Sequence, residues 1–309
     1  MEIALVGEKT YPRSWLPRLR ERLPHDRFHV HPETPDPAAV EVALVAAPRP
    51  GEVAQLTGLK LIQCLWMGVD ALMRDLTLPR GVPVSRMVDP SMVAAMTETV
   101  LHAVIDFHRN FHVYRQQQAE RRWKQLKQYM AADRTVGFLG MGELGSDAAA
   151  RLVSLGFKVH GWSRTPKSLP GVASHTGDAG LADMLPLCDV LVCLLPLTPQ
   201  TRGMLCATLF DRMKEGSALV HLARGSQMVT ADVIAALDSG RLAHAYLDVF
   251  ETEPLPAEDP LWAHPKVTVT PHIAALTEPR TALDIIAENV ERVRRGEAPL
   301  YQVDVAAGY

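Results

Sequence analysis

Thr135-Val-Gly-Phe-Leu-Gly140-Met-Gly-Glu-Leu-Gly145 is the stretch whose reading decides the fold. A β-branched and apolar run enters three glycines and continues into Ala148-Ala-Ala-Arg-Leu152, which reads as a helix. Strand, glycine turn and helix in that order outline a dinucleotide pocket. Gly140 permits the tight turn, Gly142 lets the backbone approach a pyrophosphate, and Gly145 lets the helix pack on the strand with its N-terminal amides facing the phosphates. Met141, Glu143 and Leu144 lie on the same backbone path and join the expected cofactor contacts. A lone glycine signature is weak evidence; its place between strand and helix gives it weight.

The next strand, Phe157-Lys-Val-His-Gly-Trp-Ser163, ends without the Asp or Glu that usually takes the ribose hydroxyls of NAD. The chain reads instead Ser163-Arg164-Thr165-Pro166-Lys167, hydroxyls and cations suited to a 2′-phosphate. A guanidinium grips phosphate through paired hydrogen bonds and stacks on adenine, and a lysine adds a point charge. Alone this would read as a basic surface turn; after the glycine loop it predicts NADPH.

Composition sets the bounds. The 309 residues, 47% hydrophobic and 22% charged, are those of a globular protein of about two domains. A net charge of -3 and a pI near 6.5 give no basic field, so neither nucleic acid nor an anionic membrane is an expected partner. Met1-Glu-Ile-Ala-Leu-Val-Gly7 begins as a strand and not as a signal peptide, and no apolar run approaches a membrane span. Cys64, Cys188, Cys193 and Cys206 sit among Leu and Val without metal-ligand spacing, which predicts buried reduced thiols and a cytoplasmic home.

Up to about Met87, strand-like runs (Ile3 to Val6, Phe28 to His31, Val42 to Ala46, Leu59 to Leu65, Val82 to Ser85) alternate with helical or proline-bearing connections, a small parallel α/β unit. Ser91 then offers an N-cap for one long helix carrying Val93, Met96, Val100, Val104, Phe107 and Phe111 at helical spacing. From Thr135 six further strands are expected, beginning near Thr135, Lys158, Val190, Ala218, His244 and Val267, and a terminal helix runs from Arg280 to Arg294. Strands alternating with helices make a second doubly wound sheet, with its ligand crevice at the glycine loop.

Unusual residues then stand at the carboxyl ends of successive strands. Ala218-Leu-Val-His-Leu-Ala-Arg224 ends in an arginine whose planar fork could hold a carboxylate and carbonyl oxygen. His244-Ala-Tyr-Leu-Asp248 ends in an acid, with Glu253 five residues on, and Val267-Thr-Val-Thr-Pro-His272 ends in a histidine. Each alone reads as structural. Together they supply what carbonyl reduction by hydride requires: His272 as proton donor, Glu253 to orient it and favour its charged form, and Arg224 to position and polarise the substrate. Asp248 is expected near the nicotinamide. His108 and His112, a turn apart, could grip a metal, but without a third ligand a partly buried helix face is the reading adopted, and no metal is expected.

The whole series, Gly140 to Gly145, Leu195-Pro196-Leu-Thr-Pro-Gln-Thr201, Leu222-Ala223-Arg224-Gly225, Leu247-Asp-Val-Phe250 with Glu253-Pro-Leu255, and Thr270-Pro-His-Ile-Ala274-Ala275, resembles the D-isomer-specific 2-hydroxyacid dehydrogenase family across nearly the full chain. The resemblance implies an α/β protein of two doubly wound domains: a flavodoxin-like substrate domain over 1–98 and 277–309, and a Rossmann NADP-binding domain over 99–276. It implies Arg224, Glu253 and His272 as the catalytic set, and cofactor contacts at Leu195, Pro196, Thr201, Leu222, Ala223, Asp248 and Ala274. It also implies a substrate loop at Leu65-Trp-Met-Gly-Val-Asp70, where Trp66 lines the pocket and the amides of Met67, Gly68 and Val69 receive the substrate carboxylate. The family more often has small residues where Trp66 and Met67 stand, a departure that bears on pocket size.

Within the family, Gly161 to Gly171 and Pro254 to Trp262 are similar to the NADPH-linked reductases of glyoxylate and hydroxypyruvate. The partners implied are a small 2-oxo or 2-hydroxy acid and a second copy of the chain, with the helix from Ser91 and the Arg115 to Tyr129 segment as the crossing arm. Two rivals stand beside this expectation. An NAD-linked enzyme for another acid is disfavoured by the missing acid after the second strand. A non-catalytic dinucleotide sensor is disfavoured by retention of all three catalytic residue types.

Overall fold

Apolar runs bounded by glycine, proline or charge become strands buried on both faces, as parallel sheets require. The computed structural model describes residues 1–7 and 10–305, without the side chains of residues 10–13. By its internal packing the chain divides into two units, Met1–Met92 with Thr277–Tyr309, and Val93–Leu276. The end of the expected substrate domain, 306–309, lies outside the described residues.

The first unit starts with β1 (Glu2–Gly7), α1 (Thr10–Arg22), β2 (Arg27–Val30), β3 (Val42–Ala46), β4 (Leu61–Cys64), α2 (Asp70–Met73) and β5 (Val84–Ser85). Helices α3 (Pro90–His108) and α4 (Phe111–Ala119) lead to β6 (Thr135–Leu139), α5 (Glu143–Ser154), β7 (Lys158–Trp162), β8 (Val172–His175), α6 (Gly177–Met184) and β9 (Val190–Cys193). Then come α7 (Ala207–Phe210), β10 (Ser217–His221), α8 (Thr230–Asp238), β11 (Leu242–Leu247) and β12 (Val267–Val269), and α9 (Pro279–Arg294) belongs to the first unit.

Among the described residues the pairings between these strands are all parallel. The first sheet runs β2-β1-β3-β4-β5, the flavodoxin-like order, and the second runs β12-β11-β10-β9-β6-β7-β8, a Rossmann order extended by one strand. The order reverses at β6, which pairs with β7 on one side and β9 on the other, so a crevice opens at the carboxyl end of β6. Alternation along each strand divides the core of this unit. Val136, Phe138, Val190 and Val192 pack with Val100, Val104 and Phe107 of α3 and Ala148 and Leu152 of α5. Leu191, Cys193, Leu219 and Leu247 pack on the other face with Phe210 and Val233. In the first unit the amphipathic α9 buries Ala282, Leu283, Ile286, Ala287 and Val290.

Four local readings are corrected. The second sheet has seven strands where six were expected; β8, Val-Ala-Ser-His, is a short edge strand with two exposed positions and lacks an apolar run. Asp89, not Ser91, caps α3, because its Oδ1 accepts from the Ser91 amide (3.0 Å) with Pro90 in the first helical position. The long helix ends at His108 because Asn110 turns left-handed (φ 57°), so His108 and His112 lie on different helices and Phe111 is half exposed instead of joining the apolar face. Cys64, Cys188 and Cys193 are buried free thiols, whereas Cys206 is partly exposed. Burial pushes the Cys188 and Cys193 thiols up to about 12. Among the described residues no helix is long and apolar enough to cross a membrane.

Candidate active site

The turn after β6 needs its glycines for separate steric reasons. Gly140 has φ +104°, and a Cβ there would stand 2.8 Å from the Leu194 carbonyl oxygen. A Cβ at Gly145 would stand 2.1 Å from the Gly140 oxygen, which fixes how closely α5 sits on the turn. The space a Cβ at Gly142 would occupy is open, at the residue preceding the first turn of α5. The backbone there can therefore take up an anion at the helix N-terminus, and the pyrophosphate reading of this loop fits the residues present. Met141 is buried against Gly161, whose own Cβ would collide with the Met141 sulfur, while Glu143 is exposed and Leu144 partly buried at the start of α5.

At the end of β7 the backbone is pinned and the side chains that follow Ser163 are exposed. The Ser163 amide donates to the His175 carbonyl (3.1 Å) and the Lys167 amide to Ser174 Oγ (3.0 Å). The Ser163 hydroxyl is buried and donates to the Thr165 carbonyl (2.7 Å), so its proton serves the turn itself. The side chains of Arg164, Thr165 and Lys167 are exposed. Sequence reading missed the pair beneath them, His160 Nδ1 and His175 Nε2 at 2.9 Å, in which burial and the neighbouring ring push the His160 imidazole down.

The carboxyl edge of β10, β11 and β12 gathers the proposed chemistry. Arg224 leaves β10 through buried Leu222 and Ala223, and its Nη1 donates to the Ala223 carbonyl (2.7 Å). Gly225 is required next, because a Cβ would stand 1.9 Å from the Phe250 carbonyl carbon beyond β11. The Phe250 amide donates to Glu253 Oε1 (2.8 Å), and Glu253 Oε2 lies 2.7 Å from His272 Nδ1. This contact orients the ring through Nδ1, with the His272 side chain 47% exposed.

His272 itself adopts φ 54°, an uncommon conformation for a residue with a Cβ. Asp248 explains how it is held. Buried at the end of β11, its carboxylate accepts from Thr270 Oγ1 (2.6 Å) and from the amides of Ile273 (2.9 Å) and Ala274 (3.0 Å), and its carbonyl accepts from the His272 amide (2.9 Å). This carboxylate also holds the loop that carries His272, at the strand end where the nicotinamide is expected. The register pairing Leu247 with Val269 makes Asp248 and Thr270 neighbours one step on, a signal legible only once the strand order is known.

Beyond β9, Leu195, Pro196 and Thr201 form a tight loop in which Thr201 Oγ1 donates to the Pro196 carbonyl (2.8 Å). In the first unit, Trp66 to Val69 connect β4 to α2, the Trp66 carbonyl accepting from the Met87 amide (3.0 Å). Among the described residues no three His, Cys, Asp or Glu side chains group as metal ligands. His108 packs edge-on against Phe157 and is buried, as a histidine on a helix face does.

Fold and site define the class: a parallel α/β protein with a glycine loop and a histidine–glutamate pair on one edge of a Rossmann sheet. The chain belongs to the D-isomer specific 2-hydroxyacid dehydrogenase family, whose NAD binding domain profile matches residues 101–274. It is 41% identical over 314 aligned positions, covering all of both chains, to glyoxylate/hydroxypyruvate reductase A of Photorhabdus laumondii. Among solved structures it is similar to a D-isomer specific 2-hydroxyacid dehydrogenase of Xanthobacter autotrophicus Py2 in complex with NADPH and MES (TM-score 0.95, 40% identity, 100% of this chain and 99% of that one). It is also similar to the NADPH-dependent glyoxylate/hydroxypyruvate reductase of Sinorhizobium meliloti in complex with NADP and sulfate (TM-score 0.93, 34% identity, all of both chains).

Proposed function

We propose that the protein is an NADPH-dependent reductase of small 2-oxo acids, glyoxylate and hydroxypyruvate among them, yielding 2-hydroxy acids. The observation that carries this reading is the Glu253–His272 contact at 2.7 Å on the same strand edge as Arg224. The matching relatives support it, since two are named for this activity and two were solved with the phosphorylated cofactor.

Residues 99–276 form the cofactor domain, and residues 1–98 with 277–309 the substrate domain. The Gly140 to Gly145 loop holds the pyrophosphate, and Arg164, Thr165 and Lys167 hold the 2′-phosphate, with Ser163 shaping their turn. Leu195, Pro196, Thr201, Leu222, Ala223 and Ala274 line the remainder. When bound, the nicotinamide supplies the hydride. Arg224 grips the substrate carboxylate and polarises its carbonyl, and in the first unit Trp66 and the amides of Met67, Gly68 and Val69 are the substrate contacts. His272 delivers its Nε2 proton to the oxygen, and Glu253 keeps the ring in register through Nδ1. Asp248 holds the loop that carries His272 and lies near the nicotinamide.

The chain works as a cytoplasmic homodimer. Free cysteines support the compartment, and the exposed Trp123 and Met130 in the arm after α4 support burial against a second copy.

Purified protein is expected to oxidise NADPH in the presence of glyoxylate or hydroxypyruvate, followed at the reduced-nicotinamide absorbance band. Cofactor binding without turnover of any 2-oxo acid would make it a sensor instead. Arg164→Asp should weaken NADPH by about tenfold or more, the worth of a lost charge-assisted contact, and narrow the preference over NADH. An unchanged preference rejects the 2′-phosphate assignment.

A further inference from the structure

Gln227 ends the short 3-10 turn that follows Arg224, and its side chain is buried with 1% exposure. Its Nε2 donates to the carbonyls of Leu195 (3.1 Å) and Pro196 (3.0 Å), and its Oε1 accepts from the Arg224 amide (3.1 Å). Flipping the amide would set an oxygen against two carbonyls and a nitrogen donor against an N–H, so the partners dictate the orientation. The main chain repeats the tie: the Gln227 amide donates to the Arg224 carbonyl (3.0 Å), and the Gln227 carbonyl accepts from the Leu205 amide (2.9 Å). Arg224 is therefore gripped at both backbone groups, since His221 Nε2, fully buried, also donates to its carbonyl (2.9 Å).

We infer that Gln227 is a positioning residue that couples the dinucleotide loop to the arginine. The inference rests on the proposed function, in which Leu195 and Pro196 line the cofactor and Arg224 grips the 2-oxo acid. A shift of the loop must break two buried hydrogen bonds or carry the Gln227 amide with it, and with that amide the backbone nitrogen of Arg224. Leaving buried carbonyls without donors is the unfavourable alternative. Cofactor seated on the loop thus fixes the arginine fork before the acid arrives, and sub-ångström placement at this distance from the reacting carbon matters strongly for rate.

The test measures coupling between two ligands on the full-length protein. Oxalate serves as a 2-oxo-acid mimic and is titrated with and without NADP+; NADPH Kd is read from nicotinamide fluorescence. In wild type the cofactor should tighten oxalate by about tenfold, within the usual range of coupling between sites. Gln227→Glu keeps shape and the acceptor for Arg224 but replaces both donors. It should abolish that coupling and raise the glyoxylate KM about tenfold while NADPH Kd stays within about threefold. Gln227→Asn, with every group present on a shorter arm, should fall between.

Coupling equal to wild type in both variants overturns the inference. So does equal weakening of both ligands, or failure of both variants to fold, since each marks a merely structural side chain. A wild type that binds NADPH but reduces no 2-oxo acid overturns the proposed function itself. A wild type that reduces the acid alongside variants that match it overturns only the role of Gln227.

Discussion

His272 and His244 both stand near carboxylates in the second unit, one beyond β12 and one on β11, and water separates their fates. His272 meets Glu253 at 2.7 Å with about half its side chain exposed. His244 is buried, its Nε2 at 2.9 Å from Thr268 Oγ1 and its ring 4.5 Å from that of His112. Nearby, Asp106 accepts from both guanidinium nitrogens of Arg115 (2.6 and 2.8 Å) and from the Tyr246 hydroxyl (2.5 Å). Burial pushes the His244 imidazole down to about 3 and lowers that of His112. Burial works against the Asp106 carboxylate, yet the Arg115 and Tyr246 hydrogen bonds prevail and hold it below its usual range. An imidazole sealed in a packed core stays neutral and serves the scaffold, whereas the one at the strand end keeps half its side chain in solvent beside a single oriented partner.

The strongest way to break this contrast is His272→Ala. Loss of a general acid should lower kcat by about 10²- to 10⁴-fold, and the melting temperature should hardly move because half of the side chain already lies in solvent. Steady-state turnover and a thermal melt on the same preparation decide it. Retained turnover in a folded variant assigns the proton to another group.

The buried side of the contrast is read by acid. His244 at about 3 and His221 at about 4, each displaced by burial from an ordinary 6.5, bind protons more readily in the unfolded chain. The stability tied to their neutral forms is complete above pH 6.5 and is lost as pH falls towards those lower values. At 1.36 kcal/mol per unit the two are worth on the order of 5 and 3 kcal/mol respectively across that window. His244→Gln should therefore melt below wild type at pH 7.5, and the gap should narrow by about 2 kcal/mol by pH 5. Parallel melting curves across that range would show that His244 protonates without penalty.

Legibility in the sequence followed the same division. The glycine loop, the strand ends and the residue types at 224, 253 and 272 could be read because each is a local pattern whose physical requirement is local. The hold of Asp248 on the His272 loop went unread, since its partners Thr270, Ile273 and Ala274 become neighbours only through strand order. Gln227 went unnoticed for the same reason: a polar residue after an arginine carries no period, and its acceptors lie some thirty residues earlier in the chain. Strand β8 was missed because a half-exposed edge has no apolar run to announce it. The break at Asn110 was hidden by helical spacing that continued in the sequence to Phe111 after the backbone had turned.

The mildest test asks whether the buried network is cooperative. Tyr246→Phe removes the hydroxyl that donates to Asp106 and keeps the ring within the apolar layer it shares with Val220 and Phe107. Asp106 retains both bonds from Arg115, so no buried charge is stranded. The cost should be that of one hydrogen bond, about 1 kcal/mol, seen as a fall of a few degrees in melting temperature. Turnover and KM should match wild type, because the Tyr246 side chain is buried against α3 while the proposed reaction takes place at the strand ends. A loss near 3 kcal/mol would mean that the Asp106 hydrogen bonds strengthen one another. A change in turnover would join the sealed histidine cluster to the exposed one and remove the distinction between them.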